Sequence, residues 1–271
     1  MAKKTDENEL IPQEMQLPSF MQEGEREGID ELNNFIRPPR IKVVQSTSGE
    51  EFTDKFDAGE VIVLPTMTKL AGMEDKKNGT PFLIVPIFFW PEWVTLNPRE
   101  QKDAPRVAAR SHDPRSSIAM KSRDSNTRQE DVGLSCGKPV SHEEHLNFIV
   151  ALYNMQEHPL NLEPMILSFR GGEHSVGTNF AALIKMRKAS IYGNVFQAHS
   201  VYRSNDNGVW YGIEVDNPAG PAYVQDEDLY KRFAELHAEM KEAHADSRIV
   251  NDLEDSGSSD NDPDPTAGSE F

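Results

Sequence analysis

The sequence predicts a mainly β fold with peripheral helices, in the α+β class. Segments of β-branched and aliphatic residues, such as GEVIVL at 59–64, recur between turn-forming stretches, which is typical of antiparallel strands. The pair Asn207-Gly208 joins two such segments and has the backbone freedom that a two-residue hairpin turn requires. One amphipathic stretch near the end, at 226–244, predicts a helix that packs against the sheet.

The strands follow from local composition. Two prolines in IRPPR, at 36–40, cannot lie in a central strand, so the first strand is expected just after them. In the second strand of the hairpin, alternation places Val209, Tyr211 and Ile213 on one face and Trp210 on the other. The predicted strands are 41–44, 59–64, 82–90, 163–170, 194–203 and 208–215, with a turn at 71–80.

Three helices are expected. Ser141 and Glu144 have capping-box spacing and predict a helix over 142–156. A glycine-containing loop at 171–177 leads into a second helix at about 178–188. The third, at 226–244, begins with three acidic residues that suit the helix dipole.

Charge divides the chain into three parts. The formal net charge is −17, of which residues 1–34 carry −6 and residues 249–271 carry −7. The 191 residues from 35 to 225 carry only about −1. We therefore expect a disordered acidic segment at 1–34, a folded domain at 35–248 and a disordered acidic tail at 249–271.

Cysteine content and hydropathy bear on the compartment. Cys136 is the single cysteine, so no internal disulfide is expected and a reducing cytoplasm is the default. The longest apolar run spans nine residues and is broken by Pro86, whereas a membrane span needs about 20. The N-terminus has no apolar stretch of the signal-peptide type. These observations predict a soluble cytoplasmic protein with no membrane partner.

Residues 99–128 are predicted to form a long basic loop. The segment holds eight basic and four acidic residues and almost no large apolar side chain. Loops longer than about 15 residues are uncommon inside compact domains and are usually functional or disordered. The positive charge of this one favours contact with phosphate.

Aromatic and basic residues are interleaved in three regions, a pattern that suits single-stranded nucleic acid. Tyr202, Trp210 and Trp93 are the candidates for base stacking, whereas Phe88 and Tyr211 are expected to pack in the core. The predicted nucleic-acid-binding residues are Arg37, Arg40, Lys42, Trp93, Arg106, Arg110, Arg115, Lys121, Arg123, Arg170, Lys185, Arg187, Lys188, Tyr202, Arg203 and Trp210.

Catalytic motifs are absent from the sequence. It has no Walker-type glycine loop, dinucleotide fingerprint, GxSxG or HExxH. Cys136, His142 and His145 are the nearest approach to a zinc site, but no fourth ligand is in range and the histidines are better explained as solvated residues of a first helical turn. No catalytic residue, metal or cofactor is predicted.

The acidic end closes on an aromatic residue. A terminal Phe271 with its own carboxylate is an element that a partner pocket can capture. The predicted partner-binding residues are Asp260, Asp262, Asp264, Glu270 and Phe271. An alternative stays open for 268–271, because two adjacent common restriction sites also encode GSEF.

Several segments together resemble bacteriophage single-stranded DNA-binding proteins of the T7 or N4 type. They are RPPRIKVVQ at 37–45, PMILSFR at 164–170, the basic helix that follows, the hairpin VYRSNDNGVWYGIEV at 201–215 and the acidic end. The resemblance implies an OB-fold-like antiparallel barrel, here with insertions. It also implies an acidic tail that competes with DNA and recruits polymerase, helicase or primase, and in the N4 type a role with host RNA polymerase. The insertion at 99–128 and the extra helices leave the strand order open.

The expected function is therefore sequence-independent binding of single-stranded DNA in phage replication, recombination or repair, without catalysis. Two alternatives remain. One is a metal-dependent nuclease built on scattered carboxylates, and the other is an acidic scaffold or DNA-mimic protein.

Overall fold

A computed structural model of the protein describes residues 38–101, 103–155, 158–205 and 208–245. The strands are β1 (Arg40–Val43), β2 (Val61–Leu64), β3 (Thr68–Ala71), β4 (Phe82–Leu96), β5 (Val107–Ser111), β6 (Gln129–Glu130), β7 (Val140–Leu152), β8 (Met165–Phe169), β9 (Phe196–Asn205) and β10 (Gly208–Asp216). The helices are α1 (Glu50–Thr53), α2 (Ser117–Arg123), α3 (His174–Met186) and α4 (Glu227–Ala245).

All ten strands belong to one sheet that curls into a half-barrel. The hydrogen-bonded order is β10-β9-β4-β7-β8-β1-β2-β3, with β5 added to β4 and β6 added to β7. The sheet is mixed, because β1 runs parallel to β8 while the other pairs are antiparallel. The mainly β, α+β prediction is confirmed, whereas an OB-type barrel is not, because that fold is a five-stranded Greek-key barrel.

The main core lies on one face of the sheet and is filled by α3. The ring of Phe180 on α3 lies 4.6 Å from that of Phe148 and 5.0 Å from that of Phe196, measured between centroids. A Cβ atom on Gly177 would fall 2.7 Å from the Cβ of Phe169, so this position needs glycine for α3 to approach β8. A second core on the other face is covered by α4, whose Phe233 is fully buried.

The helix predicted at 142–156 is wrong, because this segment is most of the central strand β7. Phe148 and Val150 point into the main core, and Ile149 and Ala151 point into the second core. A strand that is buried on both faces has an almost continuous apolar run instead of alternation, and such a run also fits a helix. The capping-box spacing then favoured the wrong element.

The long loop predicted at 99–128 is also wrong. This segment contains β5, which pairs with the end of β4, and the short helix α2. Its buried contacts are few and small: Val107 packs on Val94 and Leu96, and Ala119 is the buried apolar residue of α2. So little apolar surface gives the sequence no periodic pattern from which these elements could be predicted.

Strand β4 carries two prolines although it lies inside the sheet. On the side away from β7, β9 pairs only with Phe82–Ile84 and β5 only with Trp93–Leu96. Pro86 and Pro91 fall between these two stretches, where within the described part of the chain β7 is the only strand beside β4. Their missing N–H groups therefore break no ladder on that side.

The hairpin and the last helix agree with the predictions. Tyr211 pairs with Tyr202 and Trp210 pairs with Arg203, which places Tyr211 and Trp210 on opposite faces. The apolar stripe of α4 packs on the second core as expected. The segments predicted to be disordered, 1–34 and 249–271, lie outside the described residues. None of the described helices is both long and apolar enough to cross a membrane.

Candidate nucleic-acid interface

An aromatic groove lies between the β9–β10 hairpin and the turn that precedes β4. Its volume is about 680 Å³, and it is lined by Ala58, Met73, Asp75, Lys76, Lys77, Tyr202 and Tyr211. The two tyrosine rings are 5.5 Å apart and inclined by 75°. Tyr202 is 37% exposed, so its ring is open to a planar ligand.

Backbone hydrogen bonds fix the lysine turn against the tyrosines. The N–H of Tyr202 donates to the carbonyl of Lys77 at 2.7 Å, and the hydroxyl of Tyr211 donates to the carbonyl of Lys76 at 3.2 Å. The carboxylate of Asp75 accepts from the N–H groups of Lys77 and Asn78, and these bonds lower the pKa of Asp75. Asp75 therefore stabilises the turn that carries both lysines.

The floor of the groove depends on a close backbone approach at Gly59. Its φ is +94°, and a Cβ there would lie 2.6 Å from the sulfur of Met73 and 2.8 Å from the ring of Tyr211. Its carbonyl accepts the hydroxyl of the buried Ser200 on β9. Glycine is thus required at position 59 because φ is positive and because a side chain there would clash with the ring of Tyr211.

The outer edge of β10 is held by a side chain in place of a strand. The Gln45 amide donates to the carbonyl of Tyr211 at 2.8 Å and accepts its N–H at 2.9 Å. This pair of bonds reproduces one rung of a β ladder and connects the end of β1 to the wall of the groove.

Trp210 and Arg203 lie on the other face of the hairpin, away from the groove. The indole of Trp210 donates to Glu173 at 3.2 Å, and the guanidinium of Arg203 contacts the same carboxylate at 3.0 Å. Burial raises the pKa of Glu173 despite the charge of Arg203. The predicted stacking residues Trp210 and Tyr202 thus lie on opposite faces of the hairpin, because Trp210 is next to Tyr211, the cross-strand partner of Tyr202.

Trp93 is buried, with 2% of its surface exposed, and a base cannot stack on it directly. The guanidinium of Arg123, the last residue of α2, instead covers the indole at 5.2 Å from the ring centroid. Arg123 also donates to the carbonyl of Pro114 at 3.0 Å. Two predicted site residues are thus brought together, with the arginine outside and the tryptophan beneath it.

Three other predicted cations are engaged in the fold. Arg106 donates to the carbonyl of Asn97, and Arg110 donates to the buried Glu92 at 2.9 Å. Burial acts to raise the pKa of Glu92, but a hydrogen bond to His112 and the charge of Arg110 lower it overall. Arg187 donates to the carbonyls of Val195 and Ala222 and lies 4.0 Å above the ring of Phe196.

The remaining predicted cations are spread over the surface. Lys121 is paired with Glu130, and the ammonium of Lys42 lies 3.9 Å from the ring centroid of Phe52. Arg40 is half-buried at the start of β1. Arg115, Arg170, Lys185 and Lys188 are exposed. Arg37 and the predicted tail residues Asp260, Asp262, Asp264, Glu270 and Phe271 lie outside the described residues.

The histidines of the zinc alternative do not lie in a first helical turn. His142 and His145 are buried on β7 and, three positions apart, project from opposite faces of that strand. They cannot therefore bind one ion together. Across the described residues there is no group of three or more His, Cys, Asp or Glu side chains that could hold a metal.

His145 forms a buried pair with Glu143. The imidazole lies 3.3 Å from the carboxylate. Burial acts to raise the pKa of Glu143, but the hydrogen bond and charge of His145 and the charge of Arg170 bring it down to about 2. Burial also lowers the pKa of His145. The pair lies in the interior of the sheet.

Of the residues that line the groove, the sequence predicts only Tyr202 as a binding residue. It predicts Lys76 and Lys77 only as part of a turn, and Tyr211 as a core residue. The sequence contains the pattern, because two lysines in a turn and two tyrosines in a hairpin are both visible. What joins them is a contact across about 125 residues, which local patterns do not report.

Comparison with known proteins identifies a family but no characterised relative. No curated protein and no solved structure matches the chain. The family model described as Pam3 phage gp34-like protein matches residues 5–246, which is most of the sequence. The chain therefore belongs to the Pam3 phage gp34-like protein family, a family of phage proteins.

Proposed function

We propose that this phage protein binds single-stranded DNA without sequence preference through the tyrosine groove, meaning the groove lined by Tyr202, Tyr211, Lys76 and Lys77. The observation that carries the proposal is the exposed ring of Tyr202 facing two lysines that are held in place by the backbone. Aromatic faces bind bases of any sequence, and nearby cations attract the phosphates.

The groove favours single strands over duplex. In a duplex the base faces are stacked on each other, so a tyrosine ring has no base face to contact. A base in a single strand is free to enter, and each base that stacks on an aromatic side chain contributes about 1–3 kcal/mol. Lys76 and Lys77 add an electrostatic attraction that weakens with salt.

The test is binding of labelled oligo(dT), followed by fluorescence anisotropy over a range of salt concentrations. Tyr202→Ala should weaken binding about 5- to 150-fold, as expected for one lost stacking contact of about 1–3 kcal/mol. The double variant Lys76→Ala/Lys77→Ala should reduce the salt slope by about 1.4, at about 0.7 per phosphate contact on single strands. A matched double variant, Lys55→Ala/Lys241→Ala, removes two exposed lysines elsewhere and should change the slope little. Unchanged oligo(dT) affinity in Tyr202→Ala would refute the proposal.

The acidic tail has a part in the proposed function. Residues 249–271 carry seven acidic and no basic residues and end in Phe271. We expect this segment to compete with DNA for cationic surface and to recruit replication proteins such as polymerase, helicase or primase, or RNA polymerase. Deleting 249–271 should then tighten oligo(dT) binding most at low salt. Unchanged affinity would remove the competition from the proposal.

Two outcomes would replace the proposed function. Cleavage of labelled DNA in the presence of magnesium or manganese would indicate the nuclease. A full-length and a tail-deleted chain that both fail to shift single-stranded DNA would indicate the scaffold or DNA mimic. A role in replication, recombination or repair rests on DNA binding and on the phage origin of the family.

A further inference from the structure

A second surface for a planar ligand lies at the other end of β4. The guanidinium of Arg123 lies over the buried indole of Trp93, with its central carbon 5.2 Å from the ring centroid, while the Arg123 side chain is exposed. The hydrogen bond to the Pro114 carbonyl holds the guanidinium in place. An arginine held by these two contacts is already ordered, so a ligand that stacks on its outer side loses little further side-chain entropy.

The surroundings of Arg123 suit a base with its phosphate. Met120 precedes it by three positions on α2, lies on the same helix face and is 60% exposed. Arg115 is exposed, and in the described part of the chain it has no ion-pair partner. The nearby Lys121 is neutralised by Glu130. An apolar side chain and two cations therefore lie together.

We propose that Arg123 is a second stacking position for the same single-stranded nucleic acid, with Arg115 contacting a phosphate. This proposal rests on the proposed function of the tyrosine groove. Nucleobases stack on guanidinium planes as they do on aromatic rings. The base occupies the outer face of Arg123, and Trp93 supports the inner face by a cation–π contact.

Both stacking positions face the same side of the sheet. Trp93 pairs with Glu144, which alternates onto the face of the core residue Phe148, and Tyr202 alternates onto the face of the core residue Ala198. Phe82, which pairs with Ala198, is eleven residues from Trp93, and Tyr202 lies four residues beyond Ala198, so the two positions are about 50 Å apart along the strands. A short oligonucleotide therefore reaches one position, whereas a longer one can engage both and gains affinity from the linkage.

The experiment compares oligo(dT) of roughly 5 and roughly 16 nucleotides on the full-length chain, lengths that bracket the sites of known single-strand binders. Arg123→Ala should weaken binding of the long oligonucleotide about tenfold and leave the short one nearly unchanged, because a stacking contact of ~1.4 kcal/mol is lost only when both positions are engaged. Arg123→Lys keeps the charge but loses the plane, and should weaken long-oligonucleotide binding nearly as much. Arg232→Ala on α4 removes an exposed arginine elsewhere and serves as the control.

The outcomes separate this inference from the proposed function. A wild-type chain that binds neither oligonucleotide refutes both. A chain that binds both lengths through Tyr202 but is indifferent to Arg123 refutes only the second position. Full affinity in Arg123→Lys would show attraction by charge without stacking, and equal losses for both lengths would show that the two positions are not separate. Arg123→Lys also decides the matter if the alanine variant is poorly folded.

Discussion

Replacing Gln45 by alanine tests how the tyrosine groove is held. The substitution removes two hydrogen bonds, of 2.8 and 2.9 Å, between the Gln45 amide and the backbone of Tyr211, and a longer one of 3.3 Å to the carbonyl of Val43. Each of the two bonds to Tyr211 contributes about 0.5–1.5 kcal/mol net, so their loss alone should lower the free energy of unfolding by about 1–3 kcal/mol. Because Tyr211 forms one wall of the groove, oligo(dT) affinity should fall as well.

Urea unfolding followed by tryptophan fluorescence measures the first effect, and anisotropy measures the second. Gln45→Glu sharpens the test, because a carboxylate still accepts the N–H of Tyr211 but repels its carbonyl. This variant should be at least as unstable as the alanine variant at neutral pH and should recover stability relative to it when the carboxyl is protonated. Gln129→Ala, an exposed glutamine on β6, is the matched control. A Gln45→Ala protein with unchanged unfolding and unchanged affinity would refute the reasoning.

Three further predictions concern the interior. Glu143, with its pKa of about 2 against an ordinary 4.5, binds fewer protons folded than unfolded between these values. Its stabilising effect, on the order of 3 kcal/mol, should therefore be present above about pH 4.5 and disappear as pH falls towards 2, and urea unfolding across this range should show that loss in the wild type and not in Glu143→Gln. Arg187→Ala should lower thermal stability by several degrees, since three hydrogen bonds and a ring contact disappear. Gly177→Ala should cost about 1–3 kcal/mol in a chemical unfolding curve by pushing α3 away from Phe169.

Each of these has a result that would count against it. Parallel pH curves for the wild type and Glu143→Gln would mean that the carboxylate gains nothing from His145. An Arg187→Ala protein of normal stability but weakened DNA binding would restore that arginine to the nucleic-acid surface. Gly177→Ala should behave worse than Gly220→Ala, because a Cβ at position 220 meets no atom within 4 Å; equal effects would exclude the clash.

The parts of this fold that could be predicted from the sequence are those in which one face of the strand or helix is exposed to solvent. The β9–β10 hairpin alternates between Ile213 in the main core and Glu214 outside, and its turn has suitable residues, so period and turn agreed. In β7 both faces are buried, so the alternation of apolar and polar residues disappears. The local pattern then predicts a helix better than a strand. For α2 the reason is opposite: with Ala119 as its buried apolar residue, the helix has too little apolar surface to create a pattern.

The residue types of the candidate site could be predicted from the sequence, but the contacts between these residues could not. Tyr202 was identified because aromatic and basic residues alternate around it, and it does line the groove. Trp93 and Arg123 were each identified, but that the arginine covers the indole depends on how α2 packs on β4. Arg110 and Arg187 look from composition like any other surface cation, and only their acceptors, Glu92 and the Val195 carbonyl, show that they are engaged in the fold.

The two prolines of β4 give the molecule a modular plan. Strand β9 pairs with one end of β4 and β5 pairs with the other, and among the described strands only β7 pairs with the stretch around Pro86 and Pro91. The hairpin and the 97–139 segment are therefore attached to β4 at separate points. Neither the hairpin nor the 97–139 segment needs the other for its hydrogen bonds to β4. Relatives could then lengthen, shorten or exchange one of them while the other keeps its geometry, and surface properties could diverge at one end of the protein at a time.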